Sequence, residues 1–230
     1  MLSIEKVEVR YGGITALRGV SIEVGEGETV LLIGANGAGK SSLINAVIGA
    51  VPICGGSIRF KGADIGSLSA DRRCRAGIGY SPEGRRVFPN LSVTDNVLSG
   101  AFGLGRKRQR ESLDWLCTAF PILAARARQP AGQLSGGEQQ IVAFARAMCA
   151  QPALVLLDEP FLGLAPVWIG RISEAIRELQ RRGTTILMTE QMALPALKLA
   201  TRGYVMRGGE VRRSGTVAEI RDQALIEEYL

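Results

Sequence analysis

Gly34-Ala35-Asn36-Gly37-Ala38-Gly39-Lys40-Ser41 fills every position of the pattern in which a glycine-rich loop wraps a polyphosphate in backbone N–H groups. On its N-terminal side, Thr29-Val30-Leu31-Leu32-Ile33 is short, apolar and branched, as a parallel strand buried on both faces requires. On its C-terminal side, residues 42–48 read as a helix. Strand, loop and helix in that order aim several N–H groups and the positive end of the helix dipole at one point. The backbone from Gly34 through Ala35, Asn36, Gly37, Ala38 and Gly39 to Ser42 is therefore the expected cradle of a nucleoside triphosphate. Lys40 is placed to reach the outer phosphates, and the Ser41 hydroxyl to hold Mg2+.

A second apolar run, Ala153-Leu154-Val155-Leu156-Leu157, ends in Asp158-Glu159-Pro160. Ligands of parallel α/β sheets bind beyond the carboxyl ends of the strands, so Asp158 is expected to hold magnesium and Glu159 to polarise an attacking water. Pro160, with no N–H for the ladder, ends the strand. Between the two motifs, Leu134-Ser135-Gly136-Gly137-Glu138-Gln139-Gln140 opens a strongly helical stretch, and Ser135 with two glycines at a helix start makes a second anion site.

The segment LSGGEQQ is similar to the signature of the ATP-binding-cassette family, and the order of phosphate loop, signature and acidic strand end matches that family along essentially the full length. The resemblance implies two cassettes stacked head to tail, each ATP held between one subunit's phosphate loop and the signature of the other. Ser135, Gly136 and Gly137 would then touch ATP bound to the partner. It also implies an aromatic stack on adenine by Tyr11, and a Mg2+ contact from Glu83, which stands where the family usually has glutamine. Glu83 has the alternative of pairing with Arg85 or Arg86 in solvent. Where the family commonly has a histidine touching the γ-phosphate, this chain has Gln191, in Thr189-Glu190-Gln191-Met192; with no histidine anywhere, imidazole acid–base chemistry is excluded. Gln191 is left to position phosphate beside the base Glu159. Ala165 replaces an aspartate common in the family, implying weaker crosstalk between the two sites.

The combination Ser81-Pro82-Glu83-Gly84-Arg85-Arg86-Val87-Phe88-Pro89, Gly163-Leu164-Ala165-Pro166 and Glu190-Gln191 resembles the second of the two ATP-binding subunits of bacterial branched-chain amino-acid importers, with urea-type importers as the nearest competitor. That resemblance favours a related chain over a second copy of this one as the second cassette, and implies two transmembrane permease subunits, a periplasmic binding protein that chooses the cargo, and a peripheral place on the cytoplasmic face of the inner membrane. A cassette ATPase working on DNA or ribosomes would carry coiled-coil, zinc-bearing or tandem-cassette additions, and a regulator without turnover would not need Lys40, Asp158 and Glu159 together.

Composition agrees. The 230 residues, 46% of them hydrophobic, suffice for one good core, while no apolar stretch approaches the ~20 residues of a bilayer span. The first residues, Met1-Leu2-Ser3-Ile4-Glu5-Lys6, lack the pattern of a secretion signal. Cys54, Cys74, Cys117 and Cys149 have no paired spacing, which argues against a zinc site or a disulfide framework. The net charge of +6 raises nucleic acid as a partner, but the clusters Arg72, Arg73 and Arg75, then Arg106, Lys107, Arg108 and Arg110, then Arg181 and Arg182 are short, dispersed and free of interleaved aromatics. They read as solvated helix faces, with attraction to an anionic membrane leaflet as a secondary use.

The expected architecture is α/β: a P-loop NTPase (RecA-like) core with an antiparallel β subdomain and an inserted α-helical subdomain. Residues 1–84 and 151–230 would form the core with its β subdomain, and residues 85–150 the helical part carrying the signature. Alternation in Val20-Ser21-Ile22-Glu23-Val24 and Ser57-Ile58-Arg59-Phe60 predicts the antiparallel sheet, and Gly208-Gly209 between two strand-like runs predicts a hairpin. Trp115 and Trp168 are expected to pack or to face a partner.

Overall fold

A computed structural model describes residues 1–101, 103–191 and 193–220. Met192, quoted above in Thr189-Glu190-Gln191-Met192, and Phe102 and residues 221–230, which belong to the expected helical and core segments, lie outside the described residues.

The chain opens with β1 (Leu2–Tyr11) and β2 (Ile14–Val24), whose alternating buried and exposed side chains mark a half-buried antiparallel pair. β3 (Thr29–Ile33) is buried at every position and leads through the glycine loop into α1 (Lys40–Ile48). Gly39, left-handed at φ 104°, is the N-cap of α1, so the helix begins at Lys40, two residues before the stretch that reads as helical in the sequence. β4 (Gly55–Phe60) and β5 (Ala63–Asp64) complete a four-stranded antiparallel sheet in the order β2-β1-β4-β5. Next come α2 (Ala70–Arg75) and β6 (Ile78–Ser81).

The helical insertion consists of α3 (Val93–Ser99), α4 (Arg106–Ala119), α5 (Pro121–Ala125) and α6 (Gly136–Met148). Pro121 separates α4 from α5 as its missing N–H demands. The core resumes with β7 (Leu154–Asp158), α7 (Pro166–Arg181), β8 (Thr185–Glu190) and α8 (Ala193–Leu197). It closes with the expected hairpin, β9 (Arg202–Arg207) and β10 (Glu210–Thr216), followed by α9 (Val217–Ile220). The second sheet runs β10-β9-β3-β8-β7-β6, parallel from β9 to β6.

This parallel sheet explains its own unbroken apolar runs, because each face meets a different core. Leu31, Ile33, Val155, Leu157, Ile186 and Met188 point into a cluster shared with the helical insertion, including Val97, Phe120, Ile141 and Phe144. Val30, Leu32, Leu154, Leu156 and Leu187 point the other way, into a cluster shared with α1 and the antiparallel sheet, including Val7, Leu17, Leu43 and Ile58. Strands buried on both faces cannot alternate apolar with polar, which is why they read as continuous hydrophobic runs.

One side chain departs from the expected surface. Arg72 and Arg75 are exposed, but Arg73 is 3% exposed and donates to four carbonyls: Ala46 at 2.6 Å, Leu68 at 2.8 Å, and Val47 and Gly66 at 2.9 Å. Its guanidinium fills the orphan carbonyls at the C-terminus of α1, where a cation also suits the helix dipole. Trp115 lies under the Arg182 guanidinium, 4.2 Å from the ring centroid, and ties α4 to the end of α7. The four cysteines are free; Cys149 is buried and Cys54 and Cys74 are exposed.

Truncating Arg73→Ala leaves several buried carbonyls without donors and is expected to destabilise the fold by about 2–4 kcal/mol. Urea unfolding should show a lower midpoint at unchanged slope; a midpoint equal to the parent's would contradict the role assigned to Arg73.

Candidate nucleotide site

The parallel register brings three strand ends level. Asp158 of β7 stands beside Thr189 of β8, and Glu190 of β8 beside Ile33 of β3. The glycine loop therefore leaves β3 next to the carboxylates that close β7, at the edge where ligands of such sheets bind.

Lys40, 4% exposed, donates through Nζ to the Gly34 carbonyl at 2.7 Å and the Ala35 carbonyl at 3.2 Å, and lies 3.2 Å from Glu159 Oε1. Burying such a pair is tolerable only when further hydrogen bonds surround the charges, and the two loop carbonyls supply them. Beside it, Ser41 Oγ donates to Asp158 Oδ1 at 3.1 Å and Thr189 Oγ1 donates to the same oxygen at 2.6 Å. Burial pushes the Asp158 carboxyl above the usual aspartate range; the hydroxyls of Thr189 and Ser41 pull it down, the Glu159 charge adds to the rise and Lys40 opposes it.

Glu159 itself is left-handed at φ 47°, a conformation that costs a non-glycine residue of order 1–3 kcal/mol. The surroundings over-determine it. Its N–H donates to the Thr189 carbonyl and to Thr189 Oγ1, both at 3.1 Å, and two residues on, the Phe161 N–H donates to Glu190 Oε1 at 2.9 Å. Thr189 thus donates its hydroxyl proton to Asp158 and accepts the Glu159 N–H.

A cleft of about 470 Å³ opens above these groups. Asn36, Gly37, Ala38, Gly39, Lys40, Ser41 and Ser42 border it, as do Glu159, Glu83 and Tyr11. Tyr11, the last residue of β1, is 44% exposed at the mouth, free to meet a planar ring. Glu83 is exposed and makes no ion pair with Arg85 or Arg86 among the described residues. Gly34 lies beneath the cleft: a Cβ there would stand 2.5 Å from the Met206 carbonyl oxygen, so this glycine serves close packing of the loop on β9. The cleft-lining residues missed by sequence reasoning are Ile14, Thr15, Ala16, Arg18 and the Gly208-Gly209 turn. The Gly209 N–H donates to the Ala38 carbonyl at 3.0 Å and the Arg18 N–H to the Gly209 carbonyl at 2.9 Å, tying loop, hairpin and β2 together. The double glycine announces the hairpin but not what it touches.

Ser41 and Asp158 offer adjacent hard oxygens, and among the described residues no group of three or more His, Cys, Asp or Glu could hold a metal alone. The adjacent hydroxyl and carboxylate oxygens fit Mg2+, which keeps few protein ligands and takes phosphate oxygens for the rest.

Two expected site elements stand away from this cleft. Gln191, half-buried just past β8, does not border it. Ser135, Gly136 and Gly137 lie at the N-terminus of α6, where Ser135 and Glu138 form a capping box: the Ser135 N–H donates to Glu138 Oε2 at 2.8 Å and the Glu138 N–H to Ser135 Oγ at 3.5 Å. The Arg85 guanidinium packs on Gly136 and the Trp168 indole on Gly137 so closely that a Cβ at either position would overlap it.

Fold and cleft together define a P-loop nucleotide-binding protein. Residues 17–162 match the family model described as ABC transporter. The high-affinity branched-chain amino acid transport ATP-binding protein BraG of Pseudomonas aeruginosa is 46% identical over 96% of this chain and 94% of its own length. The lipopolysaccharide export system ATP-binding protein LptB of Escherichia coli is 36% identical over 100% of this chain and 96% of its own. The crystal structure of the ADP conformation of MJ1267, an ATP-binding cassette of an ABC transporter, superposes with a TM-score of 0.87 at 26% identity, covering 100% of this chain and 98% of that one. The chain belongs to the ABC transporter family.

Because the folded Asp158 carboxyl holds its proton more tightly than an unfolded one, its contribution to stability falls as pH rises from the ordinary aspartate range through the elevated folded value. Replacing Asp158→Asn removes that penalty. In magnesium- and nucleotide-free buffer at neutral pH the variant should melt about 2–4 °C higher, while losing hydrolysis when ATP and Mg2+ are added. A lower melting temperature would show that Asp158 stabilises the fold as a carboxylate.

Proposed function

We propose that this chain binds and hydrolyses ATP as the energising subunit of a bacterial importer, with branched-chain amino acids as the cargo class. The observation that carries the catalytic reading is the contiguous set Lys40–Glu159 and Ser41–Asp158, of which Lys40, Ser41 and Glu159 border one cleft. The cargo class rests on the likeness to BraG at 46% identity, above the 36% to LptB.

In this reading the N–H groups of the loop and the N-terminus of α1 hold the phosphates, and Tyr11 stacks on the adenine. The γ-phosphate takes Lys40 away from Glu159, so substrate binding frees the carboxylate to orient and deprotonate the attacking water. Ser41 and Asp158, with Glu83 as a further carboxylate, would hold Mg2+, which when bound would supply positive charge to offset that developing on the phosphates. Gln191 reaches the γ-phosphate only when the site closes. Ser135, Gly136 and Gly137 serve a nucleotide held by a second cassette, a related chain by resemblance, and residues 85–150 carry them as a moving unit. ATP then bridges two half-sites and its cleavage separates them, the change that drives two permease subunits and, through them, a periplasmic binding protein. Among the described residues no helix is long and apolar enough to cross a membrane, which fits a peripheral subunit on the cytoplasmic face.

Substituting Glu159→Gln strips Lys40 of its counter-charge. The nucleotide-free variant should lose about 1–3 kcal/mol of stability, bind ATP more tightly than the parent, and hydrolyse it at least about a hundredfold more slowly. Melting curves with and without ATP, together with phosphate release, check this; retained turnover rejects Glu159 as the base. The cargo is tested by purifying the tagged chain from membranes with its companions and measuring uptake of labelled leucine in vesicles. Co-purification with lipopolysaccharide-export components, or uptake of urea in place of leucine, would replace the cargo class.

A further inference from the structure

We propose that Arg85 supplies a further cation to the triphosphate seated against Ser135, Gly136 and Gly137, a proposal that rests on the reading of that segment as the half-site for the partner's nucleotide. Helix α6 runs for 13 residues. Its capping box occupies the N–H groups of Ser135 and Glu138, whereas those of Gly136 and Gly137 donate to no acceptor among the described residues. Arg85 is half-buried, lies flat on Gly136 and forms no ion pair among the described residues.

The placement is electrostatically wrong for the chain alone. A guanidinium at the positive end of a helix is repelled by the dipole, and cations belong at the other end. An anion seated between Arg85 and the two free N–H groups turns that repulsion into three attractions, and the planar fork of a guanidinium matches phosphate oxygens. Backbone geometry holds the side chain there. Gly84, Arg85 and Arg86 are successive left-handed residues, at φ 76°, 69° and 42°, and the Arg86 N–H closes on the Gly84 carbonyl at 2.7 Å. Two of these conformations are strained for non-glycine residues, and such strain persists at sites where it positions something. The same turn begins at Glu83, which borders the chain's own cleft. One four-residue segment therefore touches both the site this chain fills with its own loop and the half-site it lends to its partner.

The test uses the transporter complex purified with its membrane companions, carrying Arg85→Ala, Arg85→Gln or Arg85→Lys, with Lys40→Ala as a control. ATP turnover should fall about tenfold or more in the alanine and glutamine variants and by no more than about threefold in the lysine variant, because phosphate accepts either cation. Binding of a fluorescent ATP analogue to the isolated chain, which reports its own cleft, should stay within about twofold of the parent in all three. Turnover preserved in Arg85→Ala overturns the proposal. So does rescue by glutamine equal to that by lysine, since packing on Gly136 would then suffice. Turnover that survives Lys40→Ala would instead overturn the assignment of the phosphate loop.

Discussion

A buried ion pair between Lys40 and Glu159 joins the two halves of the site, and the rest of the architecture is what makes the pair tolerable. Each charge alone would be strongly disfavoured in a region where both side chains are about 95% shielded from water. The loop carbonyls of Gly34 and Ala35 solvate the ammonium, and the backbone of Glu159 is clamped by Thr189 from the strand in between. Those partners are available only because β3, β8 and β7 end in register. Shift one strand by a residue and Thr189 would face the opposite side of the sheet, leaving Asp158 and Glu159 without their shared support.

Glycine plays different parts along the same sequence motifs. Gly39 is left-handed and caps α1, and Gly34 yields to the backbone of β9. Gly136 and Gly137 make room for the side chains of Arg85 and Trp168 from the chain itself. The last pair is informative, since a glycine at a helix N-terminus reads in sequence as space for a phosphate. Here an arginine occupies that space at Gly136 and an indole at Gly137.

Most of the fold was legible because its signals are local. The strand–loop–helix order around Lys40, the apolar run before Asp158, the alternation in β2 and β4, the break at Pro121 and the Gly208-Gly209 hairpin all depend on neighbours in sequence. What escaped depends on distant contacts. Arg73 looks like one of a surface cluster, and only the convergence of the C-terminus of α1 with the turn at Gly66 and Leu68 makes it a buried donor. The cleft lining formed by Ala16, Arg18 and Gly209 joins segments about 190 positions apart, with no motif to announce it. Gln191 is legible as a position in the family pattern, yet it does not border the cleft.

The parallel sheet has a different hydrophobic core on each side, and the two are separated by a full layer of backbone. Packing changes separated in this way combine almost additively. A substitution in the cluster shared with the helical insertion is therefore accommodated with little change in the cluster shared with α1 and the antiparallel sheet, and the reverse also holds.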